Sequence, residues 1–276
     1  MTANELTIAL IHEVFHDDTG AERLHQRLSA ARQAGAELAL LPELPLNPWS
    51  MAGKRPRPED AEEAGGPRQT LLADAARSAG IGVVGGIIAL DGTTGRRFNR
   101  ALVMDAAGQT VATYDKLHVP SEEGWWEGFH YQEGEHPPQP VHQFGVPIGL
   151  QICSDLFRPA GCNMLAGGGA EIILAPRATA PATYANWLAM IRSNAITSCA
   201  YVLSTNRPGT ENGVTLGGPG VAVGPDAAVL CESTDLISVV TLTHQAVSAA
   251  RQEYPGYLSV RPDIYTQGWQ GTKGKA

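Results

Sequence analysis

Two nine-residue stretches that resemble each other restrict the fold of this chain more than any other feature. Residues 35–43 read Gly-Ala-Glu-Leu-Ala-Leu-Leu-Pro-Glu, and residues 169–177 read Gly-Ala-Glu-Ile-Ile-Leu-Ala-Pro-Arg. Each contains an apolar run of strand length after a predicted helix, and each is followed later by another helix, a strand and a hairpin. Two such halves, each a sheet covered on one side by helices, can pack sheet to sheet. We therefore predict an α/β fold, a four-layer α-β-β-α sandwich with two similar halves.

The length and composition suit one domain of this kind. The chain has 276 residues, of which 43% are hydrophobic, enough for the core of one large α/β domain. We predict a single domain over residues 1–276, with a tail of little periodicity from about residue 254. Residues 47–68 are rich in proline, glycine and charge, and we predict a loop there that forms part of a rim over a functional site.

Three chemically reactive side chains each lie just after an apolar run of strand length. The runs are residues 38–41, 110–114 and 146–152, and the reactive residues that follow them are Glu43, Lys116 and Cys153. Open α/β sheets bind ligands at the carboxyl ends of their strands, so the thiol of Cys153 is a candidate nucleophile. A buried, inert cysteine is the commoner role, and this segment alone leaves both interpretations open.

The position of the lysine favours a chemical role. Lysine occurs only at positions 54, 116, 273 and 275, so Lys116 is the only lysine between residues 55 and 272. A chain that otherwise uses arginine for positive charge has an amine here. An amine is a compact point charge that can also carry a proton, which a guanidinium does not do.

Composition argues against several other classes of protein. The formal net charge of −8 argues against non-specific nucleic-acid binding, and no apolar run approaches the ~20 residues that span a bilayer. Neutral residues 1–4 lead straight into a predicted strand, so we expect no signal peptide and a cytoplasmic protein. The four cysteines lack C-x-x-C spacing and the eight histidines lack metal-ligand spacing, so we expect no disulfide framework, metal or cofactor.

A carboxylate, an amine and a thiol can together break a carbon–nitrogen bond, as a Glu-Lys-Cys triad. We expect Lys116 to lower the pKa of Cys153, so that this cysteine alone is alkylated rapidly at neutral pH. Lys116 and the backbone N–H of Ser154 would stabilise the oxyanion formed when the thiolate attacks a carbonyl carbon. Glu43 would protonate the leaving amine and then activate the water that hydrolyses the thioester.

The segments around these residues resemble those of the nitrilase, or carbon–nitrogen hydrolase, superfamily. Its catalytic Glu lies in Pro-Glu after a strand, its Lys in Lys-x-His and its Cys in Ile-Cys-x-Asp; the segments here are Pro42-Glu43, Lys116-Leu117-His118 and Ile152-Cys153-Ser154-Asp155. Further matches are Asn206-Arg207-x-Gly209 and Arg261-Pro262-Asp263-x-Tyr265. Glu127 resembles the second active-site glutamate of the superfamily, which positions substrate and lysine. The resemblance covers nearly the whole chain and implies the α-β-β-α sandwich and a homodimer or larger homo-oligomer.

Departures from the superfamily pattern bear on the substrate. True nitrilases usually have Glu two residues after the Cys, so Asp155 points to an amide or carbamoyl substrate. N-carbamoyl-D-amino-acid hydrolases carry an Arg pair shortly after the Cys, and a lone Arg158 does not support that activity. We predict hydrolysis of a non-peptide C–N bond in a small amide or N-carbamoyl compound. A nitrile hydrolase and a non-catalytic scaffold that binds a partner or ligand are the alternatives.

Two residues near the predicted triad are expected to contact substrate. Ser154 follows the cysteine where the superfamily often has an aromatic residue, and a small side chain there could enlarge the pocket. Trp126 could line an apolar pocket together with Trp125, or the two rings could fill a subunit contact; the sequence leaves this open.

Arg177 is a third predicted substrate residue, and this prediction rests on the internal repeat. It occupies the place in the second half that Glu43 holds in the first, so we expect it at the mouth of the Cys153 pocket. A guanidinium there could hold a substrate carboxylate in a bidentate pair. An ion pair with Glu127 or Asp155, or simple solvent exposure, is the alternative.

Overall fold

The computed structural model describes residues 5–272. Its strands are β1 (Glu5–Ile11), β2 (Leu38–Leu40), β3 (Ala61–Glu62), β4 (Gly82–Leu90), β5 (Arg97–Met104), β6 (Thr110–Asp115), β7 (Ile148–Leu150), β8 (Ile172–Leu174), β9 (Tyr201–Ser204), β10 (Gly209–Glu211), β11 (Val214–Leu216), β12 (Gly220–Val223), β13 (Val229–Ser233) and β14 (Ile237–Thr243). Its helices are α1 (Gly20–Gln33), α2 (Pro67–Ala79), α3 (Ala160–Gly167), α4 (Tyr184–Ser198), α5 (His244–Gln252) and α6 (Pro262–Gln270).

Two sheets form the centre of the structure. The first has the order β14-β1-β2-β4-β5-β6, with the short β3 beside β4, and the second has the order β13-β12-β9-β8-β7. Strands β1, β2 and β4 are parallel, as are β7, β8 and β9. An antiparallel pair completes each half, β5–β6 in the first and β12–β13 in the second, which are the two predicted hairpins.

The alternation of side chains along β1 explains how the layers pack. Successive side chains of a strand point to opposite faces of the sheet. One set shares a core with β7 and β8 of the second sheet: Leu6, Ile8 and Leu10. The other set packs with α1 and α2: Ala9 and Ile11. Helix α3 lies against the outer face of the second sheet, where a Cβ on Gly149 would meet Leu165 at 2.7 Å. The predicted α-β-β-α sandwich is therefore confirmed.

The last strand joins the two halves in a way that the repeat does not predict. Strand β14 follows the second hairpin, yet it pairs antiparallel with β1 of the first sheet along all seven residues, from Glu5 opposite Thr243 to Ile11 opposite Ile237. The second half of the chain thus completes the sheet of the first half. This covers the edge of β1, which would otherwise expose unpaired backbone groups.

Two segments differ from their sequence-based description. The predicted loop at residues 47–68 is largely irregular, but Trp49 and Met51 within it are buried. The tail contains α6, although its sequence shows little periodicity, and no α6 side chain is buried. None of the helices within residues 5–272 is both long enough and apolar enough to cross a membrane.

Candidate active site

A strained turn at the end of β7 presents Cys153. The strand ends at Leu150, and Cys153 begins a short 3₁₀ turn with φ of +49°. Left-handed backbone is uncommon for a residue with a side chain, and such strain often marks a functional site. The Cys153 N–H donates to the Pro176 carbonyl at 2.9 Å, so the end of β8 holds the turn. The thiol is therefore fixed at the carboxyl end of the second sheet, as the sequence predicts.

Asp155 joins the segment of the nucleophile to the loop after β6 that carries the lysine. Its Oδ1 accepts from the N–H groups of Leu117 at 3.2 Å and His118 at 2.9 Å. Its Oδ2 accepts from the N–H of Ile152 at 3.0 Å and the hydroxyl of Tyr114 at 2.8 Å. From the sequence, Asp155 was considered for the resemblance to the superfamily, for the choice of substrate and as an alternative partner of Arg177. In the structure it is fully buried and fixes one reactive segment against the other.

The predicted glutamates and lysine meet in one buried cluster. Lys116 Nζ donates to Glu43 Oε1 at 2.8 Å and to Glu127 Oε2 at 2.5 Å. All three side chains are at most 1% exposed. Burial opposes the charged form of the amine, but the Glu127 and Glu43 carboxylates hold the pKa of Lys116 above its ordinary value. The amine therefore remains a cation, as an oxyanion partner requires.

The thiol has the opposite protonation state from the one expected. Burial raises the pKa of Cys153 well above its ordinary value, and the negative charge of Glu43 raises it further. Lys116 lowers this pKa, but less than burial and Glu43 together raise it. The expectation of a low thiol pKa is therefore wrong, because burial of the thiol and the negative charge of Glu43 outweigh the effect of Lys116. The resting thiol keeps its proton at neutral pH.

Two residues that the sequence analysis did not identify complete a ring of hydrogen bonds. The Asn99 side-chain amide donates to Glu43 Oε1 at 2.8 Å and to the Tyr131 hydroxyl at 3.2 Å. The Tyr131 hydroxyl in turn donates to Glu127 Oε2. A signal for Asn99 existed in the sequence, since it is a polar residue in register with the inward-facing apolar positions of β5. Tyr131 lies in an irregular segment and gave no such signal.

The ring sets the protonation of Glu127. Burial raises the pKa of Glu127 to about 7, and hydrogen bonds from Lys116 and Tyr131 oppose this rise. Within residues 5–272, the second oxygens of both carboxylates, Glu43 Oε2 and Glu127 Oε1, are buried without a hydrogen-bond donor. The cluster therefore holds two acceptors that a bound molecule can satisfy.

We expect Tyr131→Phe to move the acid limb of the pH profile to higher pH. The lost hydrogen bond favours ionised Glu127, so without it the pKa of Glu127 rises further above about 7. One hydrogen bond of this kind corresponds to a shift of up to about one pH unit and a loss of up to about tenfold in kcat/KM at neutral pH. The measurement is kcat/KM for an amide between pH 5 and 9.

Tyr114→Phe is the matched control, because the Tyr114 hydroxyl also donates to a buried carboxylate, that of Asp155. This variant should keep the wild-type acid limb. An equal shift in both variants would show that Tyr131 does not act through Glu127.

The remaining predicted residues lie around the cluster with different contacts. The Ser154 hydroxyl donates to the His118 carbonyl at 2.5 Å, so it also helps to hold the turn. Trp126 is half-buried and packs edge to face on Phe129, with Lys54 Nζ 4.0 Å from its ring centre. Trp125 donates instead to the Ala178 carbonyl at 2.8 Å. Substrate contact by Ser154 and Trp126 stays a prediction.

Arg177 is not at an open mouth. Its side chain is fully buried and donates to Ser204 Oγ at 3.0 Å and to the Pro219 carbonyl. Among residues 5–272 it forms no ion pair with Glu127, Asp155 or any other carboxylate, so neither alternative for this residue holds. The repeat placed its backbone correctly, three residues after a parallel strand, but could not show the depth of its side chain.

No group of three or more His, Cys, Asp and Glu side chains in the described part of the chain is arranged to hold a metal ion.

Comparison with known proteins then identifies the family. The model of the carbon-nitrogen hydrolase family matches residues 6–252. The chain belongs to the carbon-nitrogen hydrolase family. The predicted nitrilase-superfamily membership is therefore confirmed, and the chain is a carbon-nitrogen hydrolase.

Individual members of this family are distant relatives of the chain. The nitrilase of Pyrococcus abyssi (strain GE5 / Orsay) is 27% identical over 224 residues, which cover 81% of this chain and 82% of the relative. The N-carbamoylputrescine amidase of Solanum tuberosum is 23% identical over 285 residues, which cover 96% and 93%. A mutant of the amidase from Nesterenkonia sp. AN1, solved with acrylamide, has the same fold with a TM-score of 0.79, at 22% identity over 98% of each chain.

Proposed function

We propose that this carbon–nitrogen hydrolase cleaves a small primary amide or N-carbamoyl compound through a thioester on Cys153, releasing ammonia or an amine. The observation that carries the proposal is the buried Glu43–Lys116–Glu127 cluster, whose three charges all act on the thiol. A thiol, a cation and a carboxylate in one buried site are the groups that acyl transfer requires.

The protonation state of the resting thiol determines the order of the proposed steps. Because the resting thiol is protonated, Glu43 accepts its proton as Cys153 Sγ bonds to the carbonyl carbon. Lys116 and the Ser154 N–H stabilise the oxyanion. Glu43 then passes the proton to the leaving nitrogen, the C–N bond breaks and the thioester remains. Glu43 next takes a proton from water, which attacks the thioester, and the thiol recovers its proton as the acid leaves.

The free carboxylate oxygens favour amides over nitriles as substrates. Glu43 Oε2 and Glu127 Oε1 are buried acceptors without donors in the described part of the chain. An amide or carbamoyl NH₂ group brings two N–H donors, whereas a nitrile brings none and would leave both oxygens unsatisfied. A buried acceptor without a donor costs about 1–3 kcal/mol. A related observation supports the nucleophile: a Glu→Gln mutant of the Nesterenkonia amidase shows acrylamide added to its active-site cysteine.

A substrate panel tests the proposal. We expect ammonia from small primary amides and N-carbamoyl amines, with kcat/KM at least about tenfold above that for nitriles of the same length, the ratio expected for at least one unsatisfied acceptor. Hydroxylamine should intercept the thioester and yield a hydroxamic acid. Preference for nitriles would overturn the substrate class. Amide hydrolysis without any hydroxamate would remove the thioester, and an inert panel would overturn the proposed substrate classes.

A further inference from the structure

Arg177 is an anomaly among the buried charges of this chain. Its side chain is 0% exposed, and its Nε has no acceptor within residues 5–272. The only acceptors of its guanidinium there are neutral, Ser204 Oγ and the Pro219 carbonyl. Buried charges are normally paired with an opposite charge, because removing an ion from water is costly.

Arg207 shows how the same chain treats a structural arginine. It is also 0% exposed, but its Nε and Nη2 each donate to the Glu211 carboxylate at 2.7 Å. Its remaining donors reach the carbonyls of Leu44 and Asn47 at 2.7 and 2.6 Å. Arg207 is thus paired and satisfied within the fold, whereas Arg177 lacks both a carboxylate and an acceptor for Nε.

The backbone at Arg177 lies beside the nucleophile, although the two residues are distant along the chain. The carbonyl of Pro176, the residue before Arg177, accepts from the Cys153 N–H at 2.9 Å. Burial lowers the pKa of Arg177 to about 10, so it stays charged at neutral pH, and the groups that oppose this shift are Cys153 and Tyr184. The Tyr184 ring centre lies 5.7 Å from the guanidinium carbon.

The charges around the thiol are divided between the two halves of the chain. Glu43, Lys116 and Glu127 come from the first half and form a cluster with two carboxylates. Arg177 comes from the second half. An anionic group on a substrate is repelled by the carboxylates and attracted by the guanidinium, so it would orient toward Arg177 while its amide faces Glu43 and Glu127.

We propose that Arg177 receives a carboxylate of the substrate, so that the enzyme acts on amides of short dicarboxylic acids. This inference rests on the proposed function and adds the substrate class. The carboxylate would accept from Nε and from a guanidinium nitrogen beside it, which supplies both the missing acceptor and the missing counter-charge.

The test compares two substrates that differ only at one end. Succinamate carries a carboxylate where butanamide carries a methyl group. We expect wild type to prefer succinamate and Arg177→Ala to raise its KM by at least about tenfold, with less than about a twofold change for butanamide. Arg177→Lys keeps the charge without the planar fork and should fall between. Arg192→Ala, an exposed arginine of α4 that donates to a backbone carbonyl, controls for net charge and should match wild type.

Each of the other outcomes contradicts either the inference about Arg177 or the proposed function. Equal losses for both substrates, with a lower melting temperature, would make Arg177 a structural residue and overturn the inference. Hydrolysis of butanamide without preference for succinamate would overturn it while the proposed function stands. If no amide is hydrolysed the proposed function fails, and calorimetry with succinamate on Cys153→Ala and Cys153→Ala/Arg177→Ala then decides on Arg177. Binding only when Arg177 is present supports the inference, and equal binding overturns it.

Discussion

Cys153→Ala is expected to abolish turnover while the protein stays folded. Without a nucleophile no thioester forms, and loss of a nucleophile lowers turnover by on the order of 10⁴–10⁶-fold. The removed sulfur is small, so the cavity that remains should lower the melting temperature only modestly. The measurement is ammonia release from the best amide of the panel, together with thermal unfolding.

Cys162→Ala provides the matched control. Cys162 is also buried, and burial raises its pKa to about 12, but it lies in α3 away from the charged cluster. Turnover in this variant should stay close to that of wild type. A similar loss in both variants would assign the effect to core packing and remove Cys153 as the nucleophile.

Glu43→Gln is expected to separate turnover from the reactivity of the thiol. Turnover should fall by roughly 10²–10⁴-fold, because glutamine cannot accept the proton of the thiol or activate water. Alkylation of Cys153 by iodoacetamide at pH 7 should instead become faster. Glu43 is the largest of the charges that raise the pKa of Cys153, so removing it lowers that pKa and increases the thiolate fraction. Peptide mapping of labelled protein, compared with Cys162, Cys199 and Cys231, provides the rate.

Lys116→Ala should have the contrasting signature. It removes the cation that most lowers the pKa of Cys153, so both turnover and alkylation should fall, with turnover lower by several orders of magnitude. Glu171→Gln, which changes a buried carboxylate far along the sheet beside His244, should change neither rate. If turnover and alkylation fell together in Glu43→Gln, that residue would be positioning the thiol and would not be the base.

Local sequence patterns predict much of the fold and identify the three reactive residues. The alternation of Leu6, Ile8 and Leu10 with smaller residues determines which face of β1 meets the other sheet. Gly80 ends α2 in left-handed backbone with φ of +65°, as a glycine at that position predicts. Glu43, Lys116 and Cys153 were identified because each follows a strand, and open α/β sheets bind ligands at the carboxyl ends of their strands.

What the sequence left open depends on groups that are distant along the chain. The pairing of β14 with β1 joins residues more than 200 positions apart, and no local pattern selects an edge strand among several. Asn99 and Tyr131 became part of the site only when folding brought them to carboxylates 56 and 4 positions away. The expected direction of the Cys153 pKa shift was wrong. Burial and the charges of Glu43, Lys116 and Glu127 together determine that pKa, and a lysine in the sequence does not predict their sum. The repeat located the backbone of Arg177, but only the tertiary structure decided that its charge is buried and without a carboxylate partner within residues 5–272, because burial depends on what the other half of the sandwich packs around it.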